Sequence, residues 1–342
     1  MPERLDALTA WLRGVLANAA GDASTSADFQ ISPASADASF RRYFRVTGAG
    51  LAGCFEGVGD TLIVMDAPPE KEDSHPFVMI SNMLVAAGLN VPRVYAMDIE
   101  QGFLLLNDLG TQAYLDALNE DTVGSLYADA LDALLRMQQM TAPSMAGLPI
   151  YDKALLLNEM ALFRDWYCLQ YREFTFTDSQ RAMLDQISIQ LCESALTQPQ
   201  VFVHRDYHSR NLMVTAEHNP GILDFQDAVV GPVTYDLVSL LRDCYIDWPR
   251  QRVEQWALDY LHRIADIGLI APESDATYLR WFDWMGVQRH LKATGIFARL
   301  HLRDNKPGYL ADIPRTLNYV RDVSVRYPEL KSLHTLLENL EE

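Results

Sequence analysis

Positive charge is in short supply: 28 Lys and Arg stand against 46 Asp and Glu, for a formal net charge of −18. That balance argues against nucleic acid or an anionic membrane as a partner, because both reward clustered basic charge. Cysteine is equally scarce. Cys54, Cys168, Cys192 and Cys244 are scattered with no CxxC pair, so they read as reduced thiols and not as a zinc set or a disulfide framework. No apolar run approaches the ~18 residues of a membrane span. The N-terminal M-P-E-R-L-D-A-L-T-A-W-L carries acids and lacks the uninterrupted apolar stretch of a leader. There is no internal repeat and no low-complexity tract. The expectation left is a cytoplasmic protein. Its 342 residues, 49% hydrophobic and 22% charged, provide for about two domains with a sizeable core.

The hydrophobic period changes along the chain. Residues 3–19 have helical spacing, with Leu5, Leu8, Leu12, Val15 and Leu16 on one face. Short β-like runs follow at 29–31, 40–46, 62–65, 94–97 and 103–106. A helical segment, 74–88, lies after the third and ends at Gly88 with Pro92 beyond. Glycines at 48, 50, 53, 57 and 59 predict a surface hairpin between the second and third strands. From residue 111 the signal is helical, at 121–140, 152–170, 178–196, 235–245, 250–267, 273–301 and 312–324. Only 201–224 interrupts it.

That interruption carries the chemistry. V-F-V-H-R-D-Y-H-S-R-N-L-M-V (201–214) is an apolar strand running into a loop with Asp206 and, five residues later, Asn211; G-I-L-D-F-Q-D then delivers Asp224. Phosphoryl transfer from ATP needs one carboxylate beside the attacking hydroxyl, and an amide oxygen with a second carboxylate to hold Mg²⁺ against the phosphates. Asp206 fits the first role, Asn211 and Asp224 the second. The H-x-D-x-x-x-x-N pattern with a downstream D-F-x is a protein-kinase signature in slightly altered form. His204 reads better as a packed histidine than as a reactive one. The fold class expected is α+β: a bilobal protein-kinase-like fold with a small N-terminal lobe, an antiparallel five-stranded sheet plus one helix, and a mostly helical C-terminal lobe. Residues 1–106 form the nucleotide lobe in this reading, 107–110 the hinge, and 111–342 the acceptor lobe.

Two parts of a kinase nucleotide site are missing. The turn S35-A36-D37-A38-S39-F40 has no glycine where a phosphate loop would sit; either it is an ordinary turn, or its small residues admit phosphate with Ser39 donating. The third strand, T-L-I-V-M-D, has Met65 or Asp66 where a Lys is expected, and residues 74–88 contain no acid to pair with one. An ion pair lost at both ends strands no buried charge. Phosphate charge would then fall to Mg²⁺, to backbone amides or to an arginine such as Arg42, for which a solvated strand face is the alternative. Backbone groups of Leu105, Leu106 and Asn107 are where adenine would be met.

The segments V-H-R-D-Y-H-S-R-N-L-M and I-L-D-F-Q-D-A-V-V-G-P-V-T-Y-D-L resemble the aminoglycoside phosphotransferase/choline kinase superfamily. More narrowly, 37–46, 62–70 and 288–300 look like the bacterial kinases that phosphorylate N-acetylmuramate and N-acetylglucosamine at C1 in cell-wall recycling. The resemblance spans nearly the whole chain. It implies an ATP- and Mg²⁺-dependent kinase acting on a small amino sugar, with Asp206 as the base or positioning carboxylate and Asn211 and Asp224 on the metal. Asp227 would bind a second ion or orient the acceptor, or merely cap a turn. Arg289 and Lys292, three apart on a helix within the densest basic region, would meet a lactyl carboxylate or else form a solvated face. Asn158 and Glu159 are candidates for sugar hydroxyls, with surface or cap roles as the alternative. The rival readings are a kinase for another small hydroxyl, of the aminoglycoside or choline type, and a non-catalytic nucleotide-binding scaffold.

Overall fold

The computed structural model describes residues 2–20, 29–36, 40–48, 51–52, 54–55 and 59–340. In chain order the elements are α1 (Pro2–Ala20), β1 (Gln30–Ala36), β2 (Arg42–Thr47), β3 (Thr61–Asp66), α2 (His75–Ala86), β4 (Val94–Asp98) and β5 (Phe103–Asn107). Then come α3 (Tyr114–Ala117), α4 (Val123–Gln138), α5 (Lys153–Leu162), a π-helical continuation Phe163–Tyr171, and α6 (Asp178–Leu196). The strands β6 (Gln200–Val203), β7 (Leu212–Met213), β8 (Gly221–Ile222) and β9 (Val229–Pro232) follow. The rest is helical: α7 (Tyr235–Leu241), α8 (Arg250–Asp266), α9 (Asp275–Leu302), α10 (Ile313–Ser324) and α11 (Lys331–Asn339). Contacts divide the chain into two compact units, Met1–Gln112 with Met213–Gln226, and Ala113–Leu212 with Asp227–Glu342.

The first unit is built on an antiparallel sheet of order β1-β2-β3-β5-β4. Leu8, Leu12 and Leu16, four apart and so on one face of α1, pack with Val46, Leu62, Val64, Phe103 and Leu105. The buried stripe is narrower than its spacing predicts, since Leu5 is 37% exposed. β1 runs further than the sequence suggests. A bulge between Pro33 and Ser35 absorbs the proline, and the strand continues until Ala36 pairs with Arg42. Ser35 and Ala36 are therefore ladder residues and not part of a phosphate-binding turn. Ser39 and most of the glycine-rich stretch lie outside the described residues. The β4–β5 turn depends on Gly102: its φ is +72°, and a Cβ there would sit 1.8 Å from the Ala67 carbonyl oxygen.

The second unit is organised around α9, a 28-residue helix capped by Ser274. It is buried on nearly every side, as a helix surrounded by others must be. Apolar Phe282, Met285, Leu291 and Ala298 share that burial with Asp283, Gln288, Arg289, His290, Lys292 and Thr294. Buried polar groups need partners, and α9 supplies several to the site described below. Gly295 lets α9 touch the junction where α5 becomes π-helical; a Cβ at that position would lie 2.3 Å from the Leu162 carbonyl carbon and 2.5 Å from Phe163 N. The antiparallel pair β6–β9 completes this unit.

Candidate active site

Strand β6 buries Val201, Phe202 and Val203 and releases the chain at His204. The turn that follows is held from α7. Asp236, fully buried, accepts His204 N at 2.6 Å and Arg205 N at 3.0 Å. These bonds hold Arg205 at a φ of +78°, a conformation costly for any residue that carries a Cβ. Burial pushes the Asp236 carboxyl up to about 7 although both N–H donors pull it down; nearby Asp206 adds to the rise. A second acid, Asp243, accepts Ser209 N at 2.9 Å. Two buried carboxylates thus fix the loop that carries Asp206.

Asp206 is half-buried. Among the described residues no N–H donates to its carboxylate. Its backbone carbonyl accepts from His208 N at 3.0 Å and from Asn211 Nδ2 at 3.0 Å, which turns Asn211 Oδ1 the opposite way. Burial works to raise the Asp206 pKa, but Lys292, His208, Arg289 and Arg205 together hold it below the ordinary carboxylate value. His208 stays neutral longer than usual, chiefly through burial. The loop therefore presents an ionised, accessible carboxylate, as a group that receives or orients a hydroxyl must be.

The cations around Asp206 are themselves anchored. Glu159, on α5 and 6% exposed, pairs with Lys292 Nζ at 3.1 Å, with the Arg205 guanidinium and with the Tyr151 hydroxyl. Lys292 also donates to Tyr235 Oη at 3.0 Å. Burial raises the Glu159 pKa, and Lys292 and Arg205 outweigh it, so the acid remains charged. Arg289, 5% exposed, reaches Cys244 Sγ at 3.5 Å and leaves its Nε without a partner.

In the first unit, Asp66 occupies the end of β3 where sequence logic expects a lysine. It is fully buried, directly opposite Arg42 across the ladder. Arg42 pairs with one carboxylate oxygen, and Arg4 of α1 with the other at 2.7 Å. Positive charge reaches this strand end by way of an acid that recruits two arginines. β5 lies between β3 and β4, so Leu105 and Leu106 pair on both sides, and Asn107 N donates to Arg93 O at 3.3 Å. Ladder bonds occupy the backbone that sequence reasoning offered to adenine; chain beyond β5 begins at Asp108. Asp224 has a φ of +64° and accepts Gln226 Nε2 at 2.7 Å.

Of the residues singled out by sequence, Asp206, Glu159, Arg289 and Lys292 gather in one charged cluster of the second unit. Asn158 does not join them. It is exposed beside Glu159 and lines a shallow depression with Arg164, Asp185 and Ser188. Asp227 is exposed, and its carbonyl accepts Arg205 NH1 at 3.3 Å. Sequence reasoning passed over Asp236, Asp243, Tyr151 and Arg205. The signal for Asp236 was present in G-P-V-T-Y-D-L, an acid in the first turn of a helix straight after a strand.

A model of the phosphotransferase enzyme family matches residues 30–274. The N-acetylmuramate/N-acetylglucosamine kinase of Pseudomonas putida is 47% identical over 349 residues, covering 100% of this chain and 98% of its own. The Neisseria meningitidis protein of the same name is 43% identical, covering 92% and 91%. Among solved structures, Plasmodium vivax ethanolamine kinase superposes with a TM-score of 0.59 at 10% identity, over 86% of this chain and 83% of its own. The GDP complex of aminoglycoside 2'-phosphotransferase-IIIa gives 0.59 at 14%, over 85% and 94%. The sheet with its following helices is the fold of those kinases, and the chain belongs to the phosphotransferase enzyme family.

Proposed function

We propose that this enzyme transfers the γ-phosphoryl group of ATP to the anomeric hydroxyl of N-acetylmuramate or N-acetylglucosamine, a reaction of cell-wall recycling. The observation that carries the reading is the Asp206 loop, whose half-buried carboxylate four cationic or polar neighbours keep ionised. Whole-length similarity to kinases of that name supports the choice of sugar.

Asp206 orients the sugar hydroxyl for in-line attack and takes up its proton late, since a loose transition state demands little prior deprotonation. Lys292, Arg289 and Arg205 hold the carboxylate in its charged form, and Glu159 keeps Lys292 and Arg205 from collapsing onto it. Asn211 and Asp224 offer the hard amide and carboxylate oxygens that suit Mg²⁺, which when bound would neutralise phosphate charge. Arg42, anchored by Asp66, is assigned to the phosphates. The base is assigned to backbone at Asn107–Gly110, with residues 1–106 serving the nucleotide and 111–342 the acceptor.

The test is an acceptor panel with ADP release as readout, followed by phosphorus NMR of the product. Phosphate on C1 of an N-acetylated amino sugar is expected; turnover of choline or an aminoglycoside alone would refute the reading. Asp206→Asn should lower kcat by about 10²- to 10⁴-fold with nucleotide binding retained.

A further inference from the structure

Arg210 stands four residues beyond Asp206 on the same loop, with 41% of its side chain exposed. Its guanidinium lies 3.6 Å from the centroid of the Tyr245 ring and 5.5 Å from that of Tyr309. The rings form a continuous wall. Tyr309 stacks on Phe297 at 5.6 Å, Phe297 meets Tyr245 at 6.2 Å, and Tyr245 meets the His208 ring edge-on at 5.3 Å. One end of the wall is therefore two residues from Asp206, and the other end is a cation.

That cation is the exposed one of the four near Asp206, since Arg205 is half-buried and Arg289 and Lys292 are buried. Glu159 already serves Arg205 and Lys292. Arg289 is 5% exposed and turned toward Cys244. The acid nearest Arg210 is Asp312 at 3.8 Å, beyond hydrogen-bond reach, and Asp312 itself accepts Arg315 NH1 at 3.1 Å. A guanidinium packed on an aromatic face keeps its in-plane N–H donors available to an acceptor. A fixed planar fork of donors matches a carboxylate bidentately, as a lysine ammonium does not.

We propose that Arg210, steadied by Tyr245 and Tyr309, receives the lactyl carboxylate of N-acetylmuramate and so sets the preference between the two sugars. The inference rests on the amino-sugar reading given above. It moves the carboxylate contact from Arg289 and Lys292, which are buried, to an exposed arginine beside the acceptor-orienting residue. The aromatic wall would lie against the pyranose ring and its methyl groups, while N-acetylglucosamine, lacking the lactyl group, would leave Arg210 in water.

The experiment compares kcat and KM of the full chain and its Arg210→Gln and Arg210→Lys variants on three acceptors: N-acetylmuramate, its lactyl methyl ester and N-acetylglucosamine. Arg210→Gln is expected to lower the ratio of kcat/KM for N-acetylmuramate over N-acetylglucosamine by about 10- to 100-fold, the worth of a charge-assisted hydrogen bond, chiefly through KM. Esterification should cost the parent enzyme a comparable factor and the Gln variant little, and Arg210→Lys should recover part of the ratio. A folded Gln variant with an unchanged ratio overturns the assignment while the kinase reading stands. An equal loss on both sugars does the same and places Arg210 in loop or nucleotide positioning. A parent enzyme that phosphorylates neither sugar overturns both.

Discussion

Replacing Glu159 with Gln removes one negative charge from a place where buried Lys292 and half-buried Arg205 depend on it. At an effective dielectric of about 20, unit charges at the 3.1 Å between Lys292 Nζ and Glu159 Oε1 attract by about 5 kcal/mol. Arg205 adds a second contact of the same kind. The glutamine keeps the shape and one acceptor, so the net loss should fall near 3–5 kcal/mol, as for a broken buried pair. With ~2–4 °C per kcal/mol for a unit of this size, the melting transition should drop by about 6–20 °C. Differential scanning calorimetry, with sugar-dependent ADP release on the same samples, reads both consequences. A second substitution, Lys292→Met, made in the Glu159→Gln background, should restore part of the stability by removing the stranded cation. The contrary result is specific. A melting shift under ~2 °C with a sharply raised sugar KM would make Glu159 a ligand of sugar hydroxyls and refute its place as the anchor of the cations.

Gly295→Ala should destabilise the second unit by about 3 kcal/mol or more, because backbone atoms of Leu162 and Phe163 have no room to yield; urea unfolding measures it. Burial lowers the His290 pKa to about 3, with Arg289 adding to the effect. The unfolded chain therefore binds a proton below about 6.5 that the folded chain refuses, and stability falls as pH drops from 6.5 toward 3. At pH 4.5 the loss is ~3 kcal/mol relative to pH 7, and His290→Gln should flatten that slope in urea midpoints taken at both pH values. Cys168, Cys192 and Cys244 have thiols raised by burial, Cys192 to about 11. A chromogenic disulfide reagent at pH 8 should thus titrate Cys54 alone in the native protein and all four thiols after denaturation.

What the sequence disclosed is what is local. The strand before Asp206, the five-residue interval to Asn211 and the strand pair leading to Asp224 are contiguous patterns, and the structure keeps each as a strand-loop-strand run. Helical periodicity placed the long helices of the second unit, though the change from α to π winding at Phe163 leaves no mark in a hydrophobic pattern. The charged cluster was hidden because its bonds join distant positions. Arg205 meets Glu159 from 46 residues away, and His204 meets Asp236 from 32. Glu159 and Asn158 looked equivalent in the sequence; one helical step of 100° sends the first inward and the second to solvent. The backbone of Leu105 and Leu106 looked available only because sequence cannot say that β4 folds back along the far side of β5.

The acid at the end of β3 has a consequence for the opening helix. Asp66 draws one arginine from the neighbouring strand and another, Arg4, from α1. Trimming residues 2–4 or substituting Arg4 would hand the whole carboxylate to Arg42, leaving that guanidinium fewer donors for anything else. On the assignment of Arg42 to the phosphates proposed above, a segment remote in sequence from every catalytic pattern thereby governs how much charge that arginine has to offer, and shortening the chain there should weaken ATP affinity.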